Sequence, residues 1–86
     1  MVRKKVMIRN KQGLHARPAN LFVKACMQYP CDIFVRKGEK EINAKSILHI
    51  MTAGISHGTE IELLCNGPNE NEALDALLSL IEFGLE

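Results

Sequence analysis

Gly13-Leu14-His15-Ala16-Arg17-Pro18 is the stretch where the spacing of apolar residues changes from that of a strand to that of a helix. On its N-terminal side Val2, Val6 and Ile8 share one face and Arg3, Lys5 and Met7 the other, so residues 2–8 read as a half-buried strand. Lys4 interrupts that alternation, and its aliphatic stem is expected to cover the sheet rim. Asn10-Lys11-Gln12-Gly13 reads as a turn. On the C-terminal side, from Ala16 to Gln28, Ala19, Phe22, Val23, Cys26 and Tyr29 recur at helical spacing and form a buried stripe. Asn20, Lys24 and Met27 then line an outer stripe near His15. Pro18 suits the first helical turn, where its missing N–H is no loss, and Pro30 ends the helix by pushing the residue before it out of helical geometry.

Beyond Pro30 the pattern returns to period two. Residues 32–37 place Ile33 and Val35 inward and Phe34 outward, and Lys37-Gly38-Glu39 turns into a short strand at Lys40–Asn43, which implies antiparallel pairing. Ser46 precedes Ile47-Leu48-His49-Ile50-Met51, room for one or two helical turns, and serine suits an N-cap there. Thr59–Cys65 sets Ile61, Leu63 and Cys65 against Glu60, Glu62 and Leu64 as a fourth strand. Asn69 and Glu72 have the spacing of a capping box, and Leu74, Leu77, Leu78 and Ile81 form the stripe of a closing helix that ends near Gly84. Each helix has one apolar stripe to bury, so the order βαββαβα predicts an α+β fold, a four-stranded antiparallel sheet with three helices on one face.

At 86 residues the chain is expected to form one domain, residues 1–86, burying only about 60–68% of its unfolded surface. A net charge of +1, one tyrosine, no tryptophan and no basic stripe with interleaved aromatics argue against nucleic-acid binding. No apolar run approaches the roughly 20 residues of a membrane span, and Met1-Val2-Arg3-Lys4-Lys5 is not followed by a signal-peptide core, so a cytoplasmic protein without membrane insertion is expected. Cys26, Cys31 and Cys65 lack disulfide-framework or zinc-knuckle spacing. Cys26 and Cys65 fall at positions expected to be buried. With His15, His49 and His57 they provide no ligand pair on one element, so no metal is expected.

The chemistry concentrates at His15. A residue just ahead of a helix stands where unpaired N–H groups and the positive end of the helix dipole converge, which favours anions. Arg17 adds a guanidinium suited to phosphate or carboxylate oxygens. From these six residues alone, a histidine phosphorylated in turnover and an exposed capping histidine with an unrelated arginine nearby are equally compatible.

Gly13-Leu14-His15-Ala16-Arg17-Pro18, at this distance from the N-terminus, resembles the active-site motif of the histidine-containing phosphocarrier family, HPr, of the phosphoenolpyruvate:sugar phosphotransferase system. Asn43-Ala44-Lys45-Ser46-Ile47-Leu48 matches the segment that carries that family's regulatory serine. The resemblance implies an open-faced β-sandwich that acts as a phosphoryl carrier, not a stand-alone enzyme, and it implies no cofactor. By it, enzyme I phosphorylates Nδ1 of His15 and sugar-specific IIA domains receive the group, with the backbone N–H groups of Ala16 and Arg17 and the Arg17 guanidinium bearing its charge. Ser46 would be the regulatory phosphorylation site, and Asn20, Lys24, Met27, Ile47, Leu48 and Met51 the partner contacts. A competing reading packs the apolar cluster at 47–51 under the loop at Ala53-Gly54-Ile55. His49 stands where Gram-positive relatives tend to have a small residue, and Met27 where a polar or basic one is more usual; both bear on partner preference.

Leu21-Phe22-Val23, Asp32-Ile33-Phe34 and Asn43-Ala44-Lys45-Ser46 are also similar to the catabolite-repression HPr-like proteins. These act through the regulatory serine, by way of HPr kinase/phosphorylase and a catabolite-control transcriptional regulator, and typically lack the active histidine. His15 discriminates in favour of the carrier.

Overall fold

The computed structural model describes residues 1–85. In chain order the elements are β1 (Val2–Met7), α1 (Ala16–Cys26), β2 (Asp32–Lys37), β3 (Lys40–Asn43), α2 (Ile47–Thr52), β4 (Glu60–Asn66) and α3 (Glu70–Phe83). One four-stranded sheet has the order β1-β4-β2-β3, with every neighbouring pair antiparallel. Its inner strands are those with the strongest apolar alternation. Ile33 and Val35 on β2 and Ile61, Leu63 and Cys65 on β4 are buried beneath Phe22 of α1, Ile50 of α2 and Leu77 of α3. The edge strand β1 carries Arg3, Lys4 and Lys5, all exposed, and such charge discourages pairing with another chain.

All three helices bury their apolar stripes on one side of the sheet, as the one-stripe pattern requires. α1 buries Ala19, Phe22, Val23 and Cys26, and α3 buries Ala73, Leu74, Leu77 and Ile81. The far side is mostly charged, with Arg36 bridging Glu41 at 3.3 Å and Glu62 at 3.8 Å. Leu64 points to that far side, as its parity predicts, yet it is only 2% exposed. It lies in register between Arg3 of β1 and half-buried Phe34 of β2, and those long side chains cover it. Lys4 is opposite Leu63 on the helix side and is nevertheless exposed.

Two helix ends differ from expectation. α1 stops at Cys26, two residues before Gln28, because the N–H groups of Gln28 and Tyr29 reach back only three residues, to the carbonyls of Ala25 and Cys26. The capping box at α3 does not form. Asn69 adopts a left-handed φ of 61° and its side chain makes no cap bond, while Glu70 Oε1 accepts the Gly67 N–H at 3.0 Å. That bond, aided by the N-terminal ammonium 3.4 Å from Oε2, holds the Glu70 carboxyl below its usual range. At the other end Gly84 caps α3 as expected, donating to the Leu80 carbonyl at 2.8 Å.

All three cysteines are free and buried, Cys31 included. Burial, reinforced by Cys65, pushes the Cys26 thiol up to about 12, and burial with Cys31 beside it pushes Cys65 to about 11. Both therefore stay protonated and unreactive at neutral pH. Because the folded values lie above the ordinary 9.0, their contribution to stability is intact below that pH and lost as pH rises through 9.0 toward 11 and 12. At pH 8, iodoacetamide should alkylate Cys26 and Cys65 in the folded protein at least ~10-fold more slowly than in urea, read by mass spectrometry. Equal rates would show that these thiols are open to solvent.

Candidate functional site

The site begins where β1 runs on past its last ladder residue. Ile8 still pairs with the far loop, its N–H bound to the Thr59 carbonyl at 2.9 Å and its carbonyl accepting the Gly58 N–H at 2.7 Å. The chain then turns at Asn10, which is 5% exposed, and Asn10 Nδ2 closes the turn on the Gly13 carbonyl at 2.8 Å. Next, the Leu14 N–H bonds to the Ile55 carbonyl at 2.8 Å, and the Leu14 side chain is buried. Gly13, at φ +63°, passes so close to that loop that a Cβ would lie 2.3 Å from the Ile55 oxygen.

With Leu14 pinned, His15 leaves the turn extended at φ −136° and ψ 153°, occupies the N-cap of α1 and is exposed. Its side chain makes no cap bond, so the imidazole is not committed to the helix. Ala16 has φ 52°, a left-handed conformation that costs a non-glycine residue of order 1–3 kcal/mol and persists only where its surroundings impose it. The first turn of a helix has no carbonyl behind it to accept its N–H groups, which leaves those of Ala16 and Arg17 without an intrahelical acceptor, while Pro18 has none to offer.

His15 borders a hollow of about 290 Å³ that also involves Gln12, Met51 of α2, Gly54 and Ile55. Arg17 borders a different one, with Asn10, Gln12, Pro18 and Leu85. His15 thus shares a hollow with the second helix, whereas the exposed Arg17 borders a separate one, with Gln12 common to both.

At the second segment Ser46 is the N-cap of α2, its Oγ accepting the His49 N–H at 3.3 Å. Ile50 alone is buried; Ile47 is 37% and Leu48 69% exposed, and Met51 is half-buried toward the loop at 53–55. Of the two readings of this cluster, exposure favours a free apolar surface at Ile47 and Leu48. On α1, Asn20, Lys24 and the adjoining Met27 are exposed, and Asn20 Nδ2 reaches the Ala16 carbonyl at 3.4 Å. Lys45 ties the two helical segments together by donating to the Tyr29 carbonyl at 2.6 Å. Sequence reasoning misses Gln12 and Ile55 as neighbours of His15, because nothing local marks the contact with Ile55, forty residues on; the glycine at position 13 is the one signal there that a close approach requires.

Topology and site together define a class, small βαββαβα domains that present an uncommitted histidine at the start of their first helix. Residues 2–82 match the family described as PTS HPr component phosphorylation site, and the chain belongs to that family, whose members are phosphocarrier proteins and not stand-alone enzymes. It is 44% identical to the HPr-like protein Crh of Bacillus subtilis over 82 residues, 95% of this chain and 96% of that one. It is 40% identical to the phosphocarrier protein HPr of Neisseria meningitidis, covering 94% of this chain and 91% of the relative. The crystal structure of an HPr from Thermoanaerobacter tengcongensis superposes with a TM-score of 0.96 at 45% identity, over 99% of this chain and 96% of that one.

Gly13→Ala tests the loop contact against Gly38→Ala. Both glycines have positive φ, but a Cβ at Gly38 meets nothing within 4 Å. Gly38→Ala should cost about 1–2 kcal/mol for the left-handed backbone, and Gly13→Ala more than that, since the Ile55 backbone must also move. Urea midpoints measure the difference, and equal losses would mean that the close approach is unimportant.

Proposed function

We propose that the chain carries phosphoryl groups in the phosphotransferase system, taking them on His15 from enzyme I and delivering them to IIA domains in the cytoplasm. The observation that supports this best is His15 itself, exposed and free of cap bonds while the residue before it is pinned and buried. In the transfer, the lone pair on Nδ1 of neutral His15 attacks phosphorus as the bond from phosphorus to the donor breaks, and that bond's electron pair returns to the donor atom. Nε2 keeps its proton, so none is gained or lost. Delivery to the IIA domain runs the same step with His15 as leaving group. Such transfer is positioning plus charge stabilisation.

The N–H groups of Ala16 and Arg17 are the donors for the phosphoryl oxygens in this reading, joined by the guanidinium of the exposed Arg17 side chain. A charge near a helix end is worth about 0.3–1 kcal/mol, up to ~2. A carrier benefits from a well that shallow, because it must let go. Asn20, Lys24, Met27, Ile47, Leu48 and Met51 form the docking surface in this reading, and the exposure of Leu48 and Met27 supports it.

A second reading is supported by the 44% identity to Crh: a catabolite-repression protein acting through phospho-Ser46, made by HPr kinase/phosphorylase and bound by a transcriptional regulator. Phosphorylation would add about −1.5 to −2 charges beside Ile47 and Leu48. Enzyme I would have to desolvate that charge, whereas a partner with an arginine opposite would gain from it.

His15→Ala should lose all acid-labile phosphate from phosphoenolpyruvate and enzyme I while keeping the wild-type urea midpoint. Arg17→Ala should keep the phosphate but exchange it roughly 2- to 30-fold more slowly, the rate equivalent of ~0.3–2 kcal/mol. Full labelling of His15→Ala would overturn the carrier reading. Absence of labelling in the wild type, with stoichiometric phosphate on Ser46 from the serine kinase, would favour the second.

A further inference from the structure

We propose that Lys37 is a positioning residue for His15, acting through the loop after α2; this deepens, and rests on, the reading of His15 as phosphoacceptor. Lys37 ends β2, and its Nζ donates to the Ala53 carbonyl at 3.2 Å and the Gly54 carbonyl at 2.8 Å. These carbonyls lie at the C-terminal end of α2, where no further turn supplies N–H donors and where a cation is favoured by the dipole. Among the described residues no carboxylate forms an ion pair with Lys37, and its cross-strand partner is Lys40, a like charge. The ammonium is therefore spent on the loop.

From there the connection to His15 is short. Gly54 turns the chain at φ +72°, and a Cβ on it would come within 3.4 Å of Nζ, so the ammonium fills the space beside it. The next carbonyl, that of Ile55, holds the Leu14 N–H at 2.8 Å, and Leu14 precedes His15. Gly54 and Ile55 also border the hollow shared by His15 and Met51. Lys37 touches neither His15 nor that hollow; it fixes the backbone that does.

Without the ammonium, the two carbonyls turn to water and the loop loses its tether to the sheet. The Leu14–Ile55 bond then opens more often, and His15 spends less time where a partner's phosphoryl group can be met in line. Lys37→Met keeps the stem and removes the donors, and Lys37→Arg restores donors that can span two carbonyls.

The test pairs native-state amide exchange at Leu14, with Leu63 and Cys65 amides as the core reference, with steady-state phosphorylation by enzyme I. In Lys37→Met, Leu14 should exchange about tenfold faster while the core amides keep their rates, and kcat should fall several-fold with little change in KM for enzyme I. Lys37→Arg should return both to wild type. Leu14 exchange that is unchanged, or that rises only in step with the core, would overturn the proposal, as would failure of rescue by arginine. If wild-type protein takes up no phosphate, the phosphoacceptor reading fails, and unaltered Leu14 exchange in Lys37→Met would separately refute the tether.

Discussion

The bond from the Leu14 N–H to the Ile55 carbonyl, 2.8 Å long and made possible by the missing side chain of Gly13, is the contact on which the site depends. It joins the turn after β1 to the loop after α2, beyond the two bonds by which Ile8 pairs with Gly58 and Thr59. A hydrogen bond of this kind contributes only about 0.5–1.5 kcal/mol net. Its importance is geometric: it fixes buried Leu14 in place, so that α1 starts from the next residue, His15, whose side chain makes no cap bond. His15 is exposed because its predecessor is not.

The same loop makes the site composite. α2 contributes Met51 to the hollow at His15 and presents Ile47 and Leu48, one turn before it, to solvent. The apolar surface of α2 thus adjoins the hollow that His15 borders. The rigid support comes from the inner strands β2 and β4, where alternate residues are fully buried, and from Ile50, which anchors the short helix to them. Such rigidity is what the proposed carrier role would need, since one surface would then have to fit two successive partners.

Much of this was legible in the chain. Alternation at Ile33, Val35, Ile61 and Leu63 and helical spacing at Phe22, Val23, Leu74 and Leu77 reflect burial on one side of a single layer, and these patterns are local. Ser46 as an N-cap is equally local. Leu64 shows where period two runs out, since parity gives the face but not what a neighbouring Phe34 does to cover it. Asn69 shows that residue type and spacing do not fix a cap when the chain enters the helix through a left-handed turn. The tether at Lys37 and the hollow that His15 shares with Met51 depend on contacts between elements far apart in sequence, which no window of neighbouring residues encodes.

The reading of His15 as a phosphoacceptor can be examined with no mutation at all. Protein labelled with nitrogen-15 in its histidine rings is incubated with phosphoenolpyruvate and catalytic enzyme I, and each ring is followed by nuclear magnetic resonance. Phosphorus coupling should appear on Nδ1 of His15, with His49 and His57 uncoupled. Coupling at either of those instead, or at none while enzyme I remains competent toward another carrier, would contradict it.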